Sequence, residues 1–359
     1  MKKKLMYLFL CGITVLLLVY PQKSVFYAQR GMEICRSMIV PSLFPFFICS
    51  GLLIYSGFCE QLSKLFGRVM PVLFGINASG AAAFVLGVVS GYPLGAVTAC
   101  GLYEKNYLTK TEAERLLAFC NNSGPLFLLG TVGISLYSNS KIGVLLYLAH
   151  LLSSVLVGVC FRFWRKNEFA PTVSAPTVAE KSIGEIYSVV LNNSLQSILS
   201  VCGTVIFFSV LSNLVSDLFL QNPQIRLRVI GLFEFVTGVS GIAASAMPMI
   251  EKMILSAGIV AFAGLSVHMQ VLGVVARHGL SLKPYFVGKL LHAFFSMLLT
   301  GLFWRIAPQA EPVFLTSHSA LSAGFAIGSC YSVMTVCLLA VLVLLFFLIT
   351  RKKESCLTG

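Results

Sequence analysis

The sequence predicts an all-α polytopic membrane protein with inverted-topology repeats, each holding a re-entrant helical hairpin and a broken transmembrane helix. Three observations carry this expectation. Hydrophobic residues make up 57% of the 359, charged residues 11%, and mean hydropathy is +0.88. A soluble domain averages roughly 25% charged and about 45–50% apolar residues. Apolar runs long enough to cross a ~30 Å hydrocarbon core alternate with paired runs too short to do so. The order of these runs recurs in the second half of the chain.

This balance excludes a soluble enzyme, a disordered tail and a secreted disulfide scaffold. The net charge of +13 comes from 26 Lys+Arg against 13 Asp+Glu. The basic residues fall between apolar runs, where a positive-inside bias puts them, so nucleic acid is not an expected partner. The 11 cysteines occur singly with no Cys-x-x-Cys. They read as packing residues, with no metal site.

Lys2, Lys3 and Lys4 precede an apolar run over residues 5–20, a retained first span because no small-x-small cleavage pattern follows. Residues 1–33 form an N-terminal membrane anchor and loop. A second span over 34–58 contains Pro41 and Pro45, tolerated where neighbours satisfy the freed carbonyls. Residues 61–76 carry Lys64 and Arg68 among apolar residues and read as an interfacial amphipathic helix.

Residues 78–89 and 96–103 are each too short to cross the core at about 1.5 Å per residue. Ser90, Gly91, Tyr92, Pro93, Leu94 and Gly95 between them break a helix, which predicts a hairpin tip. After a charged segment over 104–115, a span beginning near Leu116 is interrupted at Asn121, Asn122, Ser123, Gly124 and Pro125. A full span follows over 142–163. The first repeat thus occupies 34–165, and a polar linker with Pro171 and Pro176 occupies 166–185.

The second repeat occupies 186–306. Residues 186–215 form a span. Residues 229–250 contain a second tip at Thr237, Gly238, Val239, Ser240 and Gly241. Residues 254–276 form a span interrupted over 264–268, and 285–304 form another. Residues 307–359 hold an outer loop, a last span and a basic tail.

The halves align at nearly constant spacing. Ala118 and Phe119 match Ala261 and Phe262, Ser123 matches Ser266, and Leu129 and Gly130 match Leu272 and Gly273, all 143 apart. His150 and Ser154 match His292 and Ser296 at 142, and Ser90 and Gly91 match Ser240 and Gly241 at 150. With a cytoplasmic N-terminus and re-entrant hairpins, 17 of the basic residues lie inside and 7 outside, with Lys252 and Lys289 unassigned. The C-terminus is then cytoplasmic and the repeats are inverted, an architecture that holds substrate near the midplane in secondary transporters.

Unwound backbone in lipid persists only where it lines a cavity or is buried in protein. Four matched breaks therefore define the expected substrate site: Ser90, Gly91, Tyr92, Asn121, Asn122, Ser123, Thr237, Gly238, Ser240 and Ser266. Half-helix N-termini add free N–H groups and positive partial charge, which suits a small anionic solute. Small polar residues also glue membrane helices, so packing competes with ligand contact at each serine. Glu234 is the one carboxylate well inside an expected membrane element. It is a candidate for ion coupling, for contact with substrate or for holding the second tip, against a structural ion pair. His268, in the second break, is the other coupling candidate. His150 and His292 are pseudo-equivalent, which favours shared packing over a proton relay.

No His-Glu-x-x-His, Gly-x-Ser-x-Gly or Walker pattern occurs. The chain reads as no enzyme, with no catalytic residue and no cofactor beyond a coupling proton or sodium ion.

Residues 90–96 (SGYPLGA), 118–127 (AFCNNSGPLF) and 232–242 (LFEFVTGVSGI) resemble the sporulation integral membrane proteins of endospore formers. Those belong to the nucleoside-recognition (Gate) domain family, related to concentrative nucleoside transporters and to the membrane part of ferrous-iron permeases. The resemblance spans about residues 34–306. It implies a multi-pass cell-membrane protein, in the mother-cell-derived membrane during sporulation, with lipid and sporulation membrane proteins or further copies of itself as partners. It also implies movement of dipicolinic acid, a flat dianion. The expected function is transport of a small organic anion. The alternatives are a nucleoside transporter and a non-transporting scaffold for spore cortex or coat assembly.

Overall fold

The computed structural model describes residues 2–56, 58–164 and 182–306. Among these residues every regular element is helical. The polar linker over 166–185 lies outside the described residues up to 181, and the expected outer loop, last span and basic tail over 307–359 lie outside them entirely.

Helix α1 (Lys2–Val19) ends at Tyr20, and α2 (Pro21–Ile34) starts at once. The expected loop before residue 34 is therefore helical. Pro21 sits in the first turn, where its missing N–H has no intrahelical partner to lose. A π-wound turn (Cys35–Ile39) joins α2 to α3 (Val40–Tyr55), making one apolar helix from Pro21 to Tyr55. The π turn lies just before Pro41, where a helical hydrogen bond is absent and the winding can adjust. This helix packs along α9 (Ile183–Phe219). Lys23, Tyr27 and Arg226 all bond the Asp217 carboxylate, tying the start of α2 to the end of α9.

Helix α4 (Phe58–Leu65) and a π turn (Met70–Phe74) occupy the expected amphipathic stretch. Then α5 (Ala81–Ser90) and α6 (Leu94–Glu104) form the first hairpin. The charged segment that follows is a buried helix, α7 (Lys110–Leu117). Thr109 and Glu112 close a capping box at its start, and Glu112 also accepts the Asn77 N–H at 2.8 Å. Glu114 accepts the Ser281 N–H at 2.8 Å, and Arg115 donates to the carbonyls of Gly75 and Trp164. Buried charges are tolerated when hydrogen-bonded in this way.

The chain is unwound from about 118 to 124 and resumes as a π-wound segment (Leu126–Leu136). Asn139 caps α8 (Ser140–Phe161) through the N–H groups of Lys141 and Ile142. In the second half, Ser182 and Glu185 box the start of α9. Its 37 residues span about 55 Å, longer than the bilayer core. Asn222 and Pro223 start α10 (Pro223–Phe233), which meets α11 (Phe235–Ala244) at Glu234. Helices α12 (Met249–Phe262) and α13 (Gly264–Val275) are two parts of one broken apolar segment, and α14 (Lys283–Ile306) packs on both α12 and α8.

Five helices are long and apolar enough to cross a membrane among the described residues. Large apolar side chains such as Leu199, Leu290 and Leu298 are exposed on their outer faces. In a bilayer that surface meets lipid tails, so the chain is an all-α polytopic membrane protein.

Candidate functional site

Each half seats a hairpin on an unwound stretch. In the first, the tip of α5–α6 rests on residues 120–124. Gly91 has φ +88°, and a Cβ there would lie 3.0 Å from the Gly124 nitrogen. Only glycine combines this φ with so close an approach. Gly87 and Gly95 flank the Cys120 carbonyl, and a Cβ on either would collide with it. Ser90 is held by a 2.5 Å hydrogen bond to Ser50 of α3.

In the second half the turn lies at Glu234, not over 237–241. Thr237, Gly238 and Ser240 are inside α11. The fully buried Glu234 carboxylate accepts the N–H groups of Val236 at 3.1 Å and Thr237 at 2.6 Å, which fixes the start of α11 there. The glycines then serve helix contact: a Cβ on Gly238 would strike Gly231 of α10. The second break is likewise displaced, to Ala263 (φ +77°) and Gly264 (φ +68°). Ser266 and His268 sit in the opening turns of α13. A Cβ on Gly264 would lie 3.2 Å from both the Phe233 oxygen and the Phe235 nitrogen.

A cleft of about 40 Å³ lies between the two units. Gly91, Tyr92, Ser123 and Gly124 line it from the first half, and Phe235, Val236, Val267 and Gln270 from the second. All but Gln270, in the second turn of α13, stand at or beside the opening turns of α6, the π-wound segment, α11 and α13. The rest of the wall is mainly apolar, from Met38, Ile39, Ser42 and Leu43 and from Val201 and Val205 of α9. The volume holds a few waters at most. Phe235 lines it, packing edge-on to Tyr92 (5.8 Å) and Phe127 (5.2 Å).

Of the expected residues, the structure brings Gly91, Tyr92 and Ser123 to the cleft wall. Ser90 is turned to Ser50. Asn121, Asn122 and Ser266 are buried close behind. The Asn122 amide donates to the Phe119 carbonyl at 2.9 Å. The Asn122 carbonyl oxygen, both polar atoms of Asn121 and the Ser266 hydroxyl have no hydrogen-bond partner among the described residues. Thr237, Gly238 and Ser240 do not line the cleft. His268 bonds the Tyr285 hydroxyl at 2.9 Å and packs among Phe262, Tyr285 and Phe286.

Two features were missed by sequence reasoning. Gln270 lines the cleft with its carbonyl oxygen unpartnered among the described residues. Lys289, at 1% exposure, places its ammonium between the halves, bonding the Asn121 carbonyl, the Ala261 carbonyl at 3.4 Å and the Tyr92 hydroxyl at 3.5 Å. The available signal was a lone lysine inside an apolar run.

No family model matches the chain. A solved structure of a CNTnw variant in an intermediate 3 state aligns with a TM-score of 0.49 and 15% identity, covering 86% of each chain. The chain is 29% identical to the sporulation integral membrane protein YlbJ of Bacillus subtilis (strain 168) over 332 aligned residues, covering 83% of this chain and 81% of the relative. Together with the five long apolar helices, this similarity supports a multi-pass membrane protein related to the sporulation integral membrane proteins.

Proposed function

We propose that the protein carries a small organic anion, dipicolinate, across the cell membrane of a sporulating cell, and that the cleft is its site in a closed state. One observation carries the reading: the opening turns of four helical segments border a single cleft between two hairpin-bearing units. Aligned peptide dipoles at the opening turns of α6, the π-wound segment and α13 favour negative charge, whereas at α11 the Glu234 carboxylate already takes the Val236 and Thr237 N–H groups. Unpartnered polar atoms of Asn121, Asn122, Ser266 and Gln270 close by supply amide and hydroxyl contacts once the cleft widens. The solute enters when Phe235 parts from Tyr92 and Phe127. Glu234 holds the second tip, a role supported by its two backbone hydrogen bonds.

We read the two units as inverted repeats in the mother-cell-derived membrane, with both termini cytoplasmic. The paired seats at Gly91 and Gly264 and the meeting of His150 with His292 support that reading.

Dipicolinate uptake into liposomes carrying the purified chain tests the proposal. Asn121→Ala and Asn122→Ala should each slow uptake about tenfold, the loss of one hydrogen bond. Normal flux in both removes the site. Nucleoside uptake without dipicolinate uptake favours a nucleoside carrier. No flux of either, with a stable co-purifying partner, favours a scaffold.

A further inference from the structure

Lys289 buries its side-chain nitrogen among an unusual set of neighbours. It forms no ion pair among the described residues. Its polar partners are neutral oxygens: the Asn121 carbonyl, the Ala261 carbonyl and the Tyr92 hydroxyl. An ammonium has three donors, and these three acceptors use all of them. No donor remains for a solute in this state.

The position of the oxygens matters more than their number. Ala261 lies in the last turn of α12, where helical carbonyls have no intrahelical partner. Asn121 lies in the unwound stretch just past α7. Both are chain ends of broken helices, one from each half, where the peptide dipoles leave negative partial charge. The Tyr92 hydroxyl, at the first hairpin tip, donates to the Val260 carbonyl at 2.7 Å and so presents its oxygen to the ammonium. Lys289 also lies 4.7 Å from the Tyr92 ring centre, a cation–π contact.

Carbonyls at unwound half-helix ends are the groups that coordinate sodium in transporters with discontinuous helices. Hard cations take oxygen ligands of this type. The lysine reaches them because Gly288 lets α14 press against Ala118, where a Cβ would collide.

We propose that the Lys289 ammonium is a tethered cation occupying a carbonyl site that would otherwise take a mobile alkali ion. It joins the broken ends of the two halves, and the protein binds no sodium there. The inference concerns ion occupancy and holds whichever solute is carried.

The test is thermal melting of the purified full chain in NaCl, LiCl, KCl and choline chloride at equal ionic strength. The wild type should melt at one temperature in all four. Lys289→Ala should melt lower in choline chloride and rise by several degrees, saturably, with one of the alkali ions. A folded Lys289→Ala with no alkali response, or one that matches the wild type's response, overturns the proposal. If that variant cannot be recovered in any salt, Lys289→Arg and Lys289→Gln decide. Recovery of the Arg variant with loss of the Gln variant supports the proposal, and any other pattern overturns it. Melting reports ion binding and not flux, so failure here is distinct from failure of the dipicolinate reading.

Discussion

His292 donates from Nε2 to the His150 carbonyl at 2.9 Å, and the two rings lie 4.4 Å apart where α14 packs on α8. The partnership is unequal. The His150 ring also accepts the Ser123 N–H at 3.0 Å and so pins the first break. His150→Ala would leave that buried N–H without an acceptor, a loss of about 1–3 kcal/mol. His292→Ala leaves the His150 carbonyl still bonded by Ser153. His150→Ala should therefore lower the melting temperature more than His292→Ala. The reverse order would refute the unequal roles.

Glu234 binds two N–H groups of α11, so its loss should act as the loss of a helix cap. Glu234→Ala should destabilise the protein by about 1–2 kcal/mol. Glu234→Gln keeps one acceptor oxygen and should lose less. Limited proteolysis near the second tip would read this directly. Equal resistance in the wild type and Glu234→Ala would show that the cap is not needed.

Glycine substitutions should separate seats from spacers. Gly91→Ala and Gly264→Ala combine a left-handed backbone with a 3.0–3.2 Å approach and should sharply reduce folded yield. Gly101, inside α6, has nothing within 4 Å of a built Cβ. Gly101→Ala should be neutral or stabilise by about 0.5–1 kcal/mol. Size-exclusion profiles in detergent compare the three.

Phe235 packs its ring against Tyr92 and Phe127 in the cleft wall, so Phe235→Ala should widen the cleft and destabilise the fold. The loss of a buried aromatic removes about 3 kcal/mol of stability. Solute passage should rise relative to the fraction folded. A Phe235→Ala protein with unchanged per-molecule flux would argue that other groups form the gate.

The first half was legible because its signals agree. Pro93, Gly91 and the Asn121–Asn122 pair are poor helix residues, and each falls at an actual interruption. The second tip was misplaced because glycine has two uses in membrane helices. Gly238 marks close contact with α10, whereas the turn is set by Glu234, an acid that sequence reasoning weighed mainly for its charge. Glu112, Glu114 and Arg115 read only as part of a charged segment, yet each is buried. Beyond the Thr109–Glu112 capping box, they bond backbone groups distant in the chain, at Asn77, Ser281, Gly75 and Trp164, which composition does not reveal. Lys289 was hidden for the same reason: its three oxygens come from α6's approach, the first break and α12.

The Cys120 carbonyl wedged between Gly87 and Gly95 limits how this molecule can change shape. Sliding the hairpin by one residue would bring a side chain, Leu86 or Val88 and Leu94 or Ala96, to where the two glycines now leave room. A change of shape that keeps this seat intact moves hairpin and unwound stretch together as one piece.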